Sequence, residues 1–359
     1  MKKIILFTDS LGAGGAQRQL VGLAIMLKDA GYEVTVATYY DIDFYKSRLD
    51  ESGVRNILIP HADNVLKRIV AVRSFFKKEC PNCIIAYQET PSLVACIAKA
   101  TGCRFRLIVS ERNTTQTIGM NERVRFFLYR WADAIVPNSY AQQDFLSTHY
   151  AWMKCKLKAI TNFVDLDHFN FVERSKKIKP EIVVVATIWA SKNTLGFIEA
   201  VKDVVAKGCN FHVSWYGKSK SDIDYFEQCQ QKIEEYNLQD YITLKEKTRQ
   251  IMQVYQGSDF FCLPSFYEGT PNVICEAMSC GRPVICSEVC DNSVYVKEGE
   301  NGFLFNPCDP KSIADAVERA LNITDNKYSV FCKQSRDKAE RLLSEKSFVD
   351  KYIKIIENK

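Results

Sequence analysis

The order strand, loop, helix, strand begins twice in this chain, and that recurrence limits its fold more than any other feature. Ile4 to Phe7 is a short apolar run of the buried parallel-strand type, followed by the glycine loop Gly12-Ala13-Gly14-Gly15. Leu20, Leu23, Ala24 and Leu27 then recur at helical spacing, Gly31 stops the helix, and Val34 to Thr38 reads as the next strand. The order starts afresh at Ile182 to Ala186, with the loop Ser191-Lys192-Asn193, the stripe Phe197, Ile198, Val201, Val204 and Val205, the stop Gly208, and the strand Phe211 to Tyr216. Two fresh starts predict two doubly wound α/β domains. A chain of 359 residues has room for both, since domains usually run about 100–200 residues. The apolar pattern lapses near 165–180, where the charged stretch Glu173 to Lys179 ends at Pro180. Linker composition there predicts domains at 1–170 and 171–346.

Composition narrows the function classes. The net charge of +5 suits an anionic ligand or a membrane surface and is too small to indicate nucleic-acid binding. The 14 cysteines form no regular framework and read as reduced cytosolic thiols. Cys80 and Cys83 form a C-x-x-C, but they precede the strand Ile84 to Ala86 instead of opening a helix, so two small apolar residues at a helix-to-strand junction are expected. The four histidines, His61, His149, His168 and His212, are scattered, and no metal site is expected. Asp9 cuts the opening apolar run short of a signal peptide, and no stretch approaches the roughly 18 apolar residues of a membrane span. A soluble or peripheral cytoplasmic protein follows as an expectation.

The sharpest chemistry lies between Pro264 and Ile285. Strand Phe260 to Leu263 leads into a loop, then a helix Pro271 to Ser279 with Thr270 as N-cap; Gly281 ends the helix and Pro283 to Cys286 opens the next strand. At such a helix start the amides of Asn272, Val273 and Ile274 lack intrahelical acceptors and can hold a phosphate. Glu268 and Glu276 flank them. A carboxylate repels phosphate oxygens but accepts hydrogen bonds from sugar hydroxyls, so the arrangement suits a diphosphate with a hydroxylated group at each end. Either Glu alone reads more simply as a solvated side chain on a capped helix.

Glu268 and Glu276, with seven residues between them, resemble the E-x7-E signature of retaining glycosyltransferases of family 4. Other segments in the right order resemble the same family: Gly14-Gly15-Ala16-Gln17, Ser110-Glu111-Arg112-Asn113, Asn138-Ser139, Thr161-Asn162-Phe163-Val164-Asp165, Lys192-Asn193 and Gly299-Glu300-Asn301-Gly302. The resemblance implies a GT-B fold, two Rossmann-like domains facing a central cleft. The first would take the acceptor, the second the nucleotide-sugar donor, and the closing helix, 347–359, would pack back on the first domain. Glu268 would contact the donor sugar and Glu276 the ribose. Gly269, Thr270, Pro271, Asn272 and Val273 would line sugar and diphosphate with their backbone, and Gly217 would lie against the nucleotide. Lys192 would neutralise charge building on the leaving group, and Gly15 would bring the first-domain loop to the diphosphate. The sugar would keep its anomeric configuration, the leaving diphosphate assisting the incoming hydroxyl on the same face. No cofactor is implied beyond the nucleotide-sugar substrate, a UDP-sugar being favoured; the acceptor would be a glycan or lipid-linked glycan of bacterial surface polysaccharide.

Two departures stand out. Thr187 occupies the place of an Arg usual in the family, and Arg112 and Lys218 are the candidates to supply the missing cation. The glycine pair usual after the next strand reads Gly217-Lys218-Ser219. Three D-x-D pairs, Asp41-Ile42-Asp43, Asp165-Leu166-Asp167 and Asp222-Ile223-Asp224, have metal-binding spacing but read better as surface loops. The stretch from Arg123 to Trp131 mixes cations with aromatics and could lie on an anionic membrane; a helix with Phe127, Leu128 and Trp131 in the core is the favoured expectation. Alternatives to transfer are a nucleotide-sugar epimerase of similar shape and a catalytically silent nucleotide-sugar-binding protein. A nicotinamide dehydrogenase is disfavoured, because Gln17 stands where G-x-G-x-x-G needs its last glycine and no acidic residue ends the second strand at Thr38-Tyr39-Tyr40.

Overall fold

A computed structural model describes residues 1–60, 64–115, 117–218 and 223–358. The chain divides into two compact units, Met1–Phe163 with Glu345–Lys359, and Val164–Ser344. The first unit alternates β1 (Lys3–Phe7), α1 (Gly15–Asp29), β2 (Glu33–Thr38), α2 (Lys46–Glu51), β3 (Arg55–Leu58), α3 (Val65–Glu79), β4 (Cys83–Tyr87), α4 (Glu89–Ala100), β5 (Arg106–Glu111), α5 (Met120–Leu128), β6 (Ala134–Pro137) and α6 (Tyr140–His149). The second alternates β7 (Glu181–Val185), α7 (Thr194–Ala206), β8 (His212–Lys218), α8 (Ile223–Glu235), β9 (Ile242–Glu246), α9 (Ile251–Gly257), β10 (Phe260–Leu263), α10 (Asn272–Ser279), β11 (Val284–Ser287), α11 (Asn292–Tyr295), β12 (Gly302–Phe305), α12 (Pro310–Leu321) and α13 (Asp325–Leu343). Helix α14 (Glu345–Glu357) closes the chain in the first unit.

Each unit holds one six-stranded parallel sheet. The orders are β3-β2-β1-β4-β5-β6 and β12-β11-β10-β7-β8-β9. Parallel strands covered by helices on both faces bury both sets of side chains, which is why Ile4 to Phe7 and Phe260 to Leu263 are continuous apolar runs with no exposed atoms. In each sheet the chain winds outward in both directions from a central pair, β1 with β4 and β7 with β10. The carboxyl ends of such a pair form the crevice where doubly wound sheets take ligands.

The first unit ends at Phe163, earlier than a boundary at 170. Phe163 is fixed by a reciprocal pair of bonds with Gln19, which donates from Nε2 to Phe163 O at 2.8 Å and accepts from Phe163 N at 3.0 Å. Its ring packs on Phe348 of α14, with Tyr352 and Ile356 of the same helix buried in the same core. The charged stretch 173–179 is no free linker. Arg174 donates to Gln256 O, Lys176 to Leu321 O and Ile323 O, and the Lys177 amide to Asp259 Oδ1. Cations that look solvated in sequence thus satisfy backbone carbonyls of the second unit. Cys80 caps α3 in a left-handed conformation and Cys83 opens β4, and all 14 cysteines are free thiols.

Candidate active site

In the second unit the loops after β7 and β10 leave neighbouring strands at the same edge, so they meet. After β7 a short 3-10 turn, Ala190–Lys192, ends at Asn193, whose left-handed backbone (φ 57°) starts α7. Asn193 Nδ2 donates to Pro307 O at 2.8 Å, which locks this turn. The amide of Phe266, in the loop after β10, donates to Ser191 O at 3.0 Å and stitches the two loops together. That stitch brings Lys192 Nζ to 2.6 Å from Glu268 Oε1 in a largely buried ion pair. Two residues 76 positions apart therefore present a cation and a carboxylate side by side at the topological switch of this sheet.

Gly269 and Thr270 lead from that carboxylate to α10. The helix begins at Asn272 with Pro271 in the N-cap position, one residue later than Thr270 capping a helix from Pro271. The Pro271 carbonyl accepts from Ile274 N at 3.0 Å and from Cys275 N at 3.1 Å. The Ile274 amide, expected to be open to a phosphate, is consequently satisfied; Val273, in the first turn, has no carbonyl four residues back within the helix. Glu276 is buried at 5% exposure and accepts from Tyr255 Oη at 3.1 Å. Side chains on a helix lean toward its N-terminus, so Glu276 leans toward the loop that carries Glu268.

Gly217 has a packing reason for being glycine. A Cβ there would lie 1.8 Å from Ala186 O, because the ends of β7 and β8 pass backbone to backbone. Ile188 N donates to Gly217 O at 3.1 Å, fixing the chain just ahead of the lysine turn. Lys218 sits at a bulge, with Nζ 3.6 Å from Glu246 Oε1 and over the Phe226 ring at 4.7 Å. Arg112 lies in the first unit, where it donates to Asn162 Oδ1 at 2.9 Å and Tyr352 Oη at 2.6 Å and stacks on Tyr87. Its guanidinium thus ties α14 to the end of β5. Gly15 is the first residue of α1, behind the extended N-cap Gly14.

Some residues that shape these sites carry no sequence signal. Arg282 is fully buried and donates to Cys280 O, Ser258 O and Val172 O. Tyr255, the partner of Glu276, comes from α9. Asp165 serves its own turn, its Oδ1 accepting from His168 N at 2.9 Å. Asp222, which completes a third D-x-D pair, lies outside the described residues, as do Ser219 and His61. Helix α5 and the 3-10 turn Tyr129–Trp131 after it correct the expectation of Phe127 and Trp131 in the core: Phe126 and Tyr129 are buried, Leu128 only partly, and Phe127 and Trp131 are 54% and 36% exposed.

Comparison with known proteins gives the family and the fold. The model of "Glycosyltransferase Family 4" matches residues 13–168, and that of "Glycosyl transferases group 1" matches residues 179–322. An Escherichia coli UDP-Gal:alpha-D-GlcNAc-diphosphoundecaprenol alpha-1,3-galactosyltransferase is 30% identical over 223 residues, 57% of this chain; the match spans 56% of that relative. A Campylobacter jejuni N-acetylgalactosaminyltransferase, whose name places its acceptor on diphospho-undecaprenol, is 24% identical over 80% of this chain and 81% of its own. The fold is shared with a glycosyltransferase of Rickettsia africae, at TM-score 0.86 and 15% identity over 99% of this chain and 98% of the other. It is shared equally with Anabaena HepE crystallised with UDP and glucose, at TM-score 0.84 and 19% identity over the whole of both chains. The chain belongs to the glycosyltransferases of family 4 and group 1, with the two-domain GT-B fold.

Proposed function

We infer that this chain transfers a hexose or related sugar from a UDP-sugar to a hydroxyl of a lipid-linked glycan, with retention of configuration, at the cytoplasmic face of a membrane. The observation that carries this is the Lys192–Glu268 pair, held at the switch of the second sheet directly ahead of α10. A diphosphate seated against Lys192 and the first turn of α10 places its sugar at Glu268, and Glu276 is then left for the ribose. Relatives support the substrate classes: the E. coli relative's name prints a UDP-sugar donor and a diphosphoundecaprenol acceptor.

The chemistry follows from those placements. The bond between the sugar C1 and the diphosphate oxygen breaks while a bond from C1 to the acceptor oxygen forms on the same face. The acceptor proton passes to the departing diphosphate. Lys192 stabilises the negative charge that grows on that diphosphate, an interaction stronger in the transition state than in the ground state. Glu268 orients the sugar through its hydroxyls and, as a fixed anion near C1, favours positive charge developing there.

A peripheral contact with lipid is part of the same proposal. No helix among the described residues is long and apolar enough to cross a membrane. The exposed Phe127 and Trp131 pack edge to face, and the Arg130 guanidinium lies over Phe127. Aromatics interleaved with cations suit the interface of an anionic bilayer.

Calorimetric titration with UDP-, GDP- and ADP-sugars tests the donor assignment. UDP-sugar binding that disappears in Lys192→Ala is expected; binding of nicotinamide dinucleotides alone overturns it. Co-sedimentation with anionic vesicles tests the lipid contact, which Phe127→Ser with Trp131→Ser must weaken.

A further inference from the structure

The first unit has a switch point of its own, where β1 and β4 part company, and a carboxylate waits there with one oxygen fixed. Asp9 follows β1. Its carbonyl accepts from Tyr39 N at 3.1 Å and Tyr40 N at 2.9 Å, so its backbone is braced against the end of β2. Its Oδ1 is approached by Ser10 Oγ at 3.2 Å, Gln17 Nε2 at 3.3 Å and Thr8 Oγ1 at 3.4 Å. Among the described residues Oδ2 accepts nothing, and no Lys or Arg pairs with the carboxylate.

Gln17 reaches Asp9 by folding back over Gly14. A Cβ on Gly14 would stand 2.3 Å from Gln17 Oε1. The glycine therefore makes room for the amide that steadies Asp9, and the residue that spoils a dinucleotide fingerprint is explained.

Across the crevice, Gln88 follows β4 with φ 70° and ψ 175°. That backbone region is essentially reserved for glycine, and a non-glycine residue held there points to a functional constraint. Gln88 N donates to Ser110 O at 3.2 Å, and Gln88 O accepts from Ser92 N at 3.2 Å. Its Oε1 accepts from Thr8 Oγ1 at 3.1 Å, leaving Nε2 without a partner among the described residues. One threonine hydroxyl thus touches both side chains, and the pair offers an open acceptor and an open donor.

We propose that Asp9 and Gln88 bind the hydroxyls of the acceptor's terminal sugar, Asp9 Oδ2 accepting from one and Gln88 Nε2 donating to the same or a neighbouring hydroxyl. An unpaired carboxylate repels a diphosphate and suits a neutral polyol, so the donor's charged portion does not belong here. Gln17 is a positioning residue that acts through Asp9. The assignment rests on the transferase function proposed above.

Steady-state kinetics with UDP-galactose and a short-chain prenyl-diphosphate N-acetylglucosamine test it, beside donor hydrolysis without acceptor and UDP affinity. Asp9→Asn and Gln88→Gly are each expected to raise the acceptor KM about 10-fold or more, as loss of a hydrogen bond to a charged or fixed group does. Donor hydrolysis and UDP affinity stay at wild-type values. Gln17→Leu gives a smaller rise of the same kind. Gln88→Gly relieves the backbone, so its melting temperature does not fall, which separates binding from folding. A wild-type acceptor KM in Asp9→Asn, or an equal fall in donor hydrolysis, overturns the proposal. A wild-type chain that neither binds nor hydrolyses UDP-sugars strikes the transferase function instead.

Discussion

Replacing Gly217 by alanine tests whether the ends of β7 and β8 are as tightly apposed as the structure requires. The added Cβ falls 1.8 Å from Ala186 O and 2.5 Å from Ala186 C, whereas real Cβ contacts stay beyond 3.0 Å. No flexible side chain can move aside, because the obstacle is backbone, so the strand ends must part by more than an ångström. Overpacking of this kind costs about 1–3 kcal/mol. The displacement also loosens Ala186 N to Tyr216 O at 3.1 Å, Ile188 N to Gly217 O at 3.1 Å and Trp215 Nε1 to Ala186 O at 2.8 Å. Weakening one or two of these adds about 1 kcal/mol each. With roughly 2–4 °C of melting temperature per kcal/mol for a unit of this size, Gly217→Ala should lower the melting of the second unit by roughly 5–15 °C in scanning calorimetry. Gly208→Ala, in the same unit, is the comparator: its φ is 80°, nothing lies within 4 Å of the new methyl, and only left-handed strain of about 1–2 kcal/mol is imposed. If Gly217→Ala melts at or above Gly208→Ala, the close approach is refuted. Because Ile188 is anchored on Gly217 O, the same variant should also bind UDP less tightly.

Further outcomes follow from other contacts. Glu268→Gln and Lys192→Ala should each lower kcat by about 10²–10³, the scale of a lost transition-state charge contact, and the double variant should fall less than the two effects combined; full additivity would show that the pair does not act as a unit. Burial pushes the thiols of Cys83, Cys96 and Cys280 up to about 12, so a maleimide at neutral pH should label the exposed Cys80, Cys155, Cys290 and Cys308 and spare these three until urea unfolds the chain. The Glu79 carboxyl is held below the ordinary carboxylate range by hydrogen bonds from Lys3 and then Arg55. The unfolded chain therefore binds that proton more readily, and the stabilisation is present above the ordinary carboxylate pKa and lost as pH falls through the lowered one. Glu79→Gln should be less stable than wild type near pH 7, by up to about 1 kcal/mol, with the difference vanishing on acidification; a gap that widens in acid would refute the sign.

How far the sequence carried the fold depends on what each residue must satisfy. Buried parallel strands are apolar on both faces, so Phe260 to Leu263 was legible to the residue. The start of α10 was not, because Pro271 spends its carbonyl on Ile274 and Cys275, a bond that composition cannot reveal. Phe126 with Tyr129 and Phe127 with Trp131 are both helical stripes, and periodicity alone does not say which faces the core. The charged stretch 173–179 misled for a related reason: the carbonyls that Arg174 and Lys176 satisfy come from residues far along the chain, and Lys177 is held by the equally distant Asp259 and by Gly257 O.

The candidate donor site was legible because topology, more than any motif, brings its parts together. In a doubly wound sheet the loops after the two central strands leave the same edge next to each other. Once β7 and β10 are those strands, Lys192 and Glu268 must be neighbours whatever lies between them in sequence. The same rule applied to the first unit joins the loop after β1 to that after β4, and so Asp9 to Gln88. There the sequence offered only a negative sign, a glutamine where a dinucleotide loop needs glycine. Among the described residues the two switch points carry opposite charge, a cation beside a helix start in one and a carboxylate with no Lys or Arg partner in the other.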